Sequence, residues 1–215
     1  MTLIFDYDGT IHDTAKLYGT AVREVYAWLV DKGYAEPKSF SDSDLNIYLG
    51  MTAAEMWNSF MPDLPDDLKK CAAKRVGDNM LFGINQGNAK LYDGITDLLD
   101  NITSSGYRCV ILSNCDIRYM NAHRACFSLD KWFDDYFTSE GCGGLSKQDI
   151  VPLIKRKYPD NQYIIIGDRS SDIMAAKGNG IPSIGCAYGF GSLSELSECT
   201  KIVYSAAEIK QAITI

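Results

Sequence analysis

The chain has 215 residues, enough for one or two domains that bury a sizeable core without disulfide or metal staples. With 46% hydrophobic and 23% charged residues it has an ordinary globular composition, and a net charge of -7 excludes long-range attraction to nucleic acid or an anionic membrane. A small-molecule ligand is expected. The sequence runs straight into an apolar strand pattern, with no basic, apolar and cleavage segments of a secretory leader and no apolar run of membrane-spanning length. A cytoplasmic location is expected. The seven cysteines include no CxxC pair and fall singly in apolar or loop stretches, which favours free thiols over a zinc site or disulfide frame.

In chain order, the apolar run Leu3-Ile4-Phe5 suits a strand buried on both faces, and it stops at Asp6-Tyr-Asp8-Gly-Thr10, where Asp-Gly forces a turn. Two carboxylates are thus placed at the carboxyl end of a buried strand, where open α/β sheets bind ligands. A helix follows, with Val22, Val25, Tyr26 and Leu29 on one face and Gly33 as its stop. Ser41 with Asp44, and Thr52 with Glu55, are capping boxes that open two more helices, the first ending at Gly50. Pro62 and Pro65 interrupt the chain before a fourth helix over about 66–81. Residues of about 15–87 therefore read as an all-helical insert.

From Leu91 onward strands alternate with helices, which implies a parallel sheet. Strands are expected at 107–112, 136–138, 163–166, 182–185 and 202–203, with helices between them. Pro152 is best tolerated in a first helical turn, so a helix is expected to begin near Asp149, with Lys147 on the loop before it. Asn179-Gly180 reads as a helix stop.

The first, second and fourth strands end in residues suited to phosphate or metal: Asp6 and Asp8, Ser113 and Asn114, Asp168 and Asp172. Taken alone, Asp168 to Ser171 reads as a helix cap and Lys147 as a surface charge. Together, in this order, FDYDGT, Ser113-Asn114, Lys147 and GDRSSD resemble the four motifs of the haloacid dehalogenase-like hydrolases, over essentially the whole chain and most closely in the phosphoglycolate phosphatase-like branch. The resemblance implies an α/β fold: a Rossmann-like, three-layer parallel-sheet core over 1–14 and 88–215, with 15–87 as an inserted helical cap domain. It makes Asp6, Asp8, Ser113 and Lys147 catalytic, with Asp6 the nucleophile and Asp8 the acid/base. Ser113, Asn114 and Lys147 become the phosphate-binding set, and Asp6, the Asp8 carbonyl, Asp168 and Asp172 the magnesium site. Gln148, Asp93 and Asn179 stand where the family has commoner residues, none of them catalytic.

Charge alone leads to a similar expectation. A free aspartate titrates near about 3.9, so Asp6 is expected to be ionised and able to attack phosphorus without a base. Two like charges about 4 Å apart repel by about 4 kcal/mol at an effective dielectric of ~20, and several aspartates sharing a cleft with a phosphate dianion call for a cation. Magnesium, with its preference for carboxylate, water and phosphate oxygens, suits that site. Phosphoglycolate, a sugar phosphate or a nucleotide are the expected substrates. A phosphomutase resembling β-phosphoglucomutase, and a non-catalytic phosphate-binding protein, are the alternatives; Thr10 and the complete motif set favour the phosphatase. His12 lies beside the expected cleft, and His123, mid-helix, reads as structural. Trp28, Met51, Met56 and Trp57 read as packing of the insert, and Tyr188-Gly-Phe-Gly191 fits either a plain turn or a loop next to the site.

Overall fold

Six short strands form the core of the computed structural model, which describes residues 1–214: β1 (Thr2–Phe5), β2 (Arg108–Ser113), β3 (Asp135–Thr138), β4 (Tyr163–Gly167), β5 (Ser183–Cys186) and β6 (Lys201–Val203). Every neighbouring pair is parallel, in the order β3-β2-β1-β4-β5-β6. Nine α-helices accompany them among the described residues: α1 (Ala15–Asp31), α2 (Asp42–Asn46), α3 (Ala53–Phe60), α4 (Asp66–Asn85), α5 (Ile95–Ser104), α6 (Ile117–Phe127), α7 (Lys147–Lys157), α8 (Ser170–Gly178) and α9 (Ala206–Ala212). None is long and apolar enough to cross a membrane.

Helices cover both faces of the sheet, which is why its central strands are continuous apolar runs. Ile4, Val110, Leu112 and Ile165 pack with Ile150, Val151 and Ile154 of α7 and with Ala175 and Ala176 of α8. The alternate residues Leu3, Phe5, Cys109 and Ile111 are equally buried on the opposite face, where Phe5 meets Phe133 edge-on at 5.9 Å. The chain divides into two compact units, Met1–Asp13 with Lys90 onward, and Thr14–Ala89.

Within Thr14–Ala89, α1 packs on α4, and Val22, Val25, Leu29, Met56, Trp57 and Met80 are buried. Both expected capping boxes form: Ser41 accepts from the Asp44 amide and Thr52 from the Glu55 amide, each at 3.3 Å. Trp57 and Met56 do pack inward, whereas Met51 is exposed, and Arg75 lies 4.2 Å over the Trp28 ring. α2 stops at Asn46, with turns carrying the chain to Gly50, and α4 continues to Asn85, because Gly83 leaves room for the Leu17 side chain and Ile84 is still buried.

The start of α7 differs from expectation. Ser146 is its N-cap, accepting from the Asp149 amide at 3.2 Å, so Lys147 is the first helical residue and Pro152 lies inside the helix. A proline there cannot donate to the carbonyl four residues back. That carbonyl, Gln148 O, instead accepts from the Asn179 side-chain amide at 2.9 Å, and the same amide donates to Ala175 O at 2.9 Å. Asn179 is therefore more than a helix stop: it supplies the donor that makes the interior proline tolerable. α9 was also not expected; its short Ala206, Ile209, Ala212 face gives little periodic signal before it is packed.

Candidate active site

Strand register decides which residues meet. Phe5 pairs with Ile111 on one side and Ile166 on the other, so Asp6, Ser113 and Asp168 all fall within two residues of one line at the carboxyl edge of β1, β2 and β4. The Asp6 amide donates to Ile166 O at 2.8 Å and ties the first loop to the fourth strand.

At that edge a buried charge cluster forms. Lys147 Nζ lies 2.7 Å from Asp6 Oδ1 and 2.7 Å from Asp172 Oδ1, and its side chain is only 3% exposed. Asp172 also accepts from the Arg169 amide at 3.1 Å, so it caps α8 and pairs with the lysine at once. Asp168 Oδ1 accepts from the Thr10 hydroxyl at 3.2 Å and Oδ2 from the Phe190 amide at 2.8 Å. The Tyr188–Gly191 segment is thus packed on Asp168. A β-carbon on Gly9, whose φ is +86°, or on Gly189 would collide with that carboxylate, so the closeness of the two loops depends on glycine.

The electrostatics follow from burial. Burial first, then the charge of Asp172, push the Asp6 carboxyl well above the ordinary carboxylate range, with Lys147 opposing. Asp168 is pushed up to about 7 by burial and by Asp172. Burial works against the Lys147 charge, yet Asp172 and Asp6 hold its ammonium above the usual lysine range. The free-aspartate value therefore does not carry into this pocket: Asp6 needs positive charge beside it to stay ionised, and one lysine serves three carboxylates.

Those three, Asp6, Asp168 and Asp172, are buried and offer ligand oxygens all within 4.8 Å of one another. An oxygen-only, anionic set of this size fits a hard divalent cation such as magnesium. The Asp8 carboxylate is not in that group. It is 17% exposed, and its Oδ1 accepts from the Tyr119 hydroxyl at 2.8 Å and meets His12 Nδ1 at 3.1 Å. Ser113 is buried at the end of β2, its hydroxyl accepting from the Cys115 amide at 3.3 Å, and Asn114 follows on the turn into α6. Tyr119 and the Phe190 amide were not among the expected site residues. Phe190 lies in a segment whose packing the sequence left open, and Tyr119, in the first turn of α6, carries no motif.

His123 is buried beside Tyr119 and His12, its ring centroid 4.3 Å from each of theirs, and neither of its ring nitrogens has a hydrogen-bond partner. Burial pushes its imidazole down to about 3, with His12 adding to the effect. The unfolded chain takes up this proton below about pH 6.5 and the folded chain only near 3, so the contribution is present above pH 6.5 and lost as pH falls toward 3. Between pH 7.5 and pH 4 the wild type is expected to lose about 3 kcal/mol more than His123→Phe in urea unfolding. Equal losses would show that His123 does not set acid stability.

A family model described as haloacid dehalogenase-like hydrolase matches residues 3–186. The chain belongs to that family. This haloacid dehalogenase-like hydrolase is 28% identical over 110 residues to a 5'-nucleotidase of Pseudomonas aeruginosa, a match covering 50% of each chain. It is 26% identical over 117 residues to a phosphoglycolate phosphatase of Haemophilus influenzae, covering 52% of each. The chain thus spans about half the length of these two relatives. A crystal structure of a predicted phosphatase from Clostridium acetobutylicum matches 99% of this chain and 97% of that one, with a TM-score of 0.82 and 26% identity.

Proposed function

We propose that this haloacid dehalogenase-like hydrolase is a magnesium-dependent phosphatase that cleaves a small phosphorylated metabolite through an aspartyl-phosphate on Asp6. The observation that carries this is the convergence of Asp6, Lys147, Asp168 and Asp172 at one sheet edge, a nucleophile within a buried arrangement of compensating charge. Asp6, the Asp8 carbonyl, Asp168 and Asp172 would hold magnesium, which supplies positive charge against the phosphoryl oxygens and the crowded carboxylates. Lys147 adds a fixed ammonium on the same side.

In this reading the Asp6 carboxylate attacks phosphorus in line, the bond to the leaving oxygen breaks, and Asp8 gives that oxygen its proton. Asp8 then takes a proton from water, and the hydroxide so formed cleaves the aspartyl-phosphate. The Ser113 hydroxyl and Asn114, at the end of β2, hold the phosphoryl oxygens. Thr14–Ala89 takes the part of the helical cap domain. Phosphoglycolate, sugar phosphates and nucleotides are the substrate classes, the first and last matching the names of the two relatives above.

The test is phosphate release from a panel of these compounds, with magnesium and with EDTA. Magnesium-dependent release from one class supports the proposal and names its substrate. An isomerised sugar phosphate without released phosphate would make the protein a mutase, and no conversion of any compound would leave binding as its role.

A further inference from the structure

We propose that Tyr119 and His12 are positioning residues that fix the carboxylate of Asp8 through a single oxygen. The inference rests on the reading of Asp8 as the acid/base. Three atoms form a closed triangle: Tyr119 Oη to Asp8 Oδ1 is 2.8 Å, His12 Nδ1 to Asp8 Oδ1 is 3.1 Å, and Tyr119 Oη to His12 Nδ1 is 3.2 Å. One proton assignment satisfies all three sides. The Tyr119 hydroxyl donates to Asp8, and His12, protonated on Nδ1, donates to Asp8 and to the tyrosine oxygen.

Both donors are held from behind. The Tyr119 amide donates to the Asp116 side chain at 2.7 Å in the first turn of α6, so the helix cap sets the backbone from which the ring projects. His12 is fixed by the turn that follows Asp8: its amide donates to Tyr7 O at 2.9 Å and its carbonyl accepts from Gly9 N at 2.9 Å. The Tyr7 ring stacks on the His12 ring at 5.6 Å, and the His123 ring packs on His12 and Tyr119. His12 and Tyr119 are 0% and 5% exposed, while the Asp8 side chain is 17% exposed. The triangle therefore runs from a packed back to a carboxylate that reaches solvent.

Rotating the Asp8 carboxylate would break both hydrogen bonds at Oδ1 at once. Tyr119 and His12 thus limit Asp8 to one orientation toward the leaving oxygen. As the P–O bond to that oxygen breaks and the bond from Asp6 to phosphorus forms, the Asp8 proton passes to the leaving oxygen.

Leaving-group dependence separates this role from general packing. A poor alkoxide leaving group needs the proton, whereas p-nitrophenolate leaves with little help. In Tyr119→Phe, kcat/KM for the alkyl phosphate that the wild type turns over is expected to fall about 10- to 100-fold, and for p-nitrophenyl phosphate by less than about threefold. His12→Leu should show the same split, and His12→Asn, which keeps an N–H near the Nδ1 position, should restore most of the alkyl rate. The histidine pair decides the matter if Tyr119→Phe does not fold. Equal losses for both substrates, or no loss for either, overturn the positioning role while leaving the phosphatase reading intact. A wild type that releases phosphate from neither substrate overturns both.

Discussion

Asp6→Asn is expected to reduce magnesium-dependent phosphate release by at least about 10^3-fold while leaving the protein folded. Asparagine keeps the shape of the side chain, including an oxygen that can accept the Tyr7 amide now bonded to Asp6 Oδ1 at 2.7 Å. It lacks the anionic oxygen that forms the bond to phosphorus. The substitution also removes one negative charge from a pocket where burial and Asp172 already push the Asp6 carboxyl upward, so no loss of thermal stability is expected at neutral pH. Phosphate release together with a thermal melt checks both halves. Retained turnover would remove Asp6 from the role of nucleophile, whereas an unfolded variant would make the residue structural.

Lys147→Met is expected to cost both activity and stability. Its ammonium is 2.7 Å from two buried carboxylates, and removing one partner of a buried charge group leaves the others uncompensated, typically at a cost of about 3–5 kcal/mol. Part of that cost is relieved when a proton is taken up. Burial and Asp172 already push the Asp168 carboxyl up to about 7 and Asp6 is raised, so the loss should be larger at pH 8 than at pH 6. Magnesium, by supplying charge to the same carboxylates, should restore part of the stability but not the rate, which is expected to fall at least about 100-fold. Urea unfolding at the two pH values, with magnesium and with EDTA, measures this. A variant as stable as the wild type at pH 8 in EDTA would show that the lysine does not hold the carboxylates together.

Lys147 also shows how an incomplete sequence rule misplaces the start of an element. The expectation of a loop lysine came from treating Pro152 as a helix-starting residue, which is right for a helix in isolation. What overrides it is the side chain that caps the end of α8: Asn179 supplies the hydrogen bond that Pro152 cannot, from 27 residues away in the chain. No local pattern announces such a donor. The same holds for Tyr119, which reaches Asp8 across 111 residues, and for the Phe190 amide on Asp168.

What the amino-acid order determined by itself is the part encoded at short range. Continuous apolar runs specify strands buried on both faces, and glycine or aspartate stops mark where they end. Serine and threonine boxes open α2 and α3 as read, since each is complete within four residues. The alternation of strands with helices implies a parallel sheet, and acidic, serine and asparagine residues punctuate the strand ends. Tertiary structure alone decided the strand order, and with it the meeting of Asp6, Lys147, Asp168 and Asp172, because register between distant strands is settled by packing on both faces of the sheet. It also decided the charge state of those residues, since burial moves a carboxyl or an imidazole by amounts that composition cannot reveal.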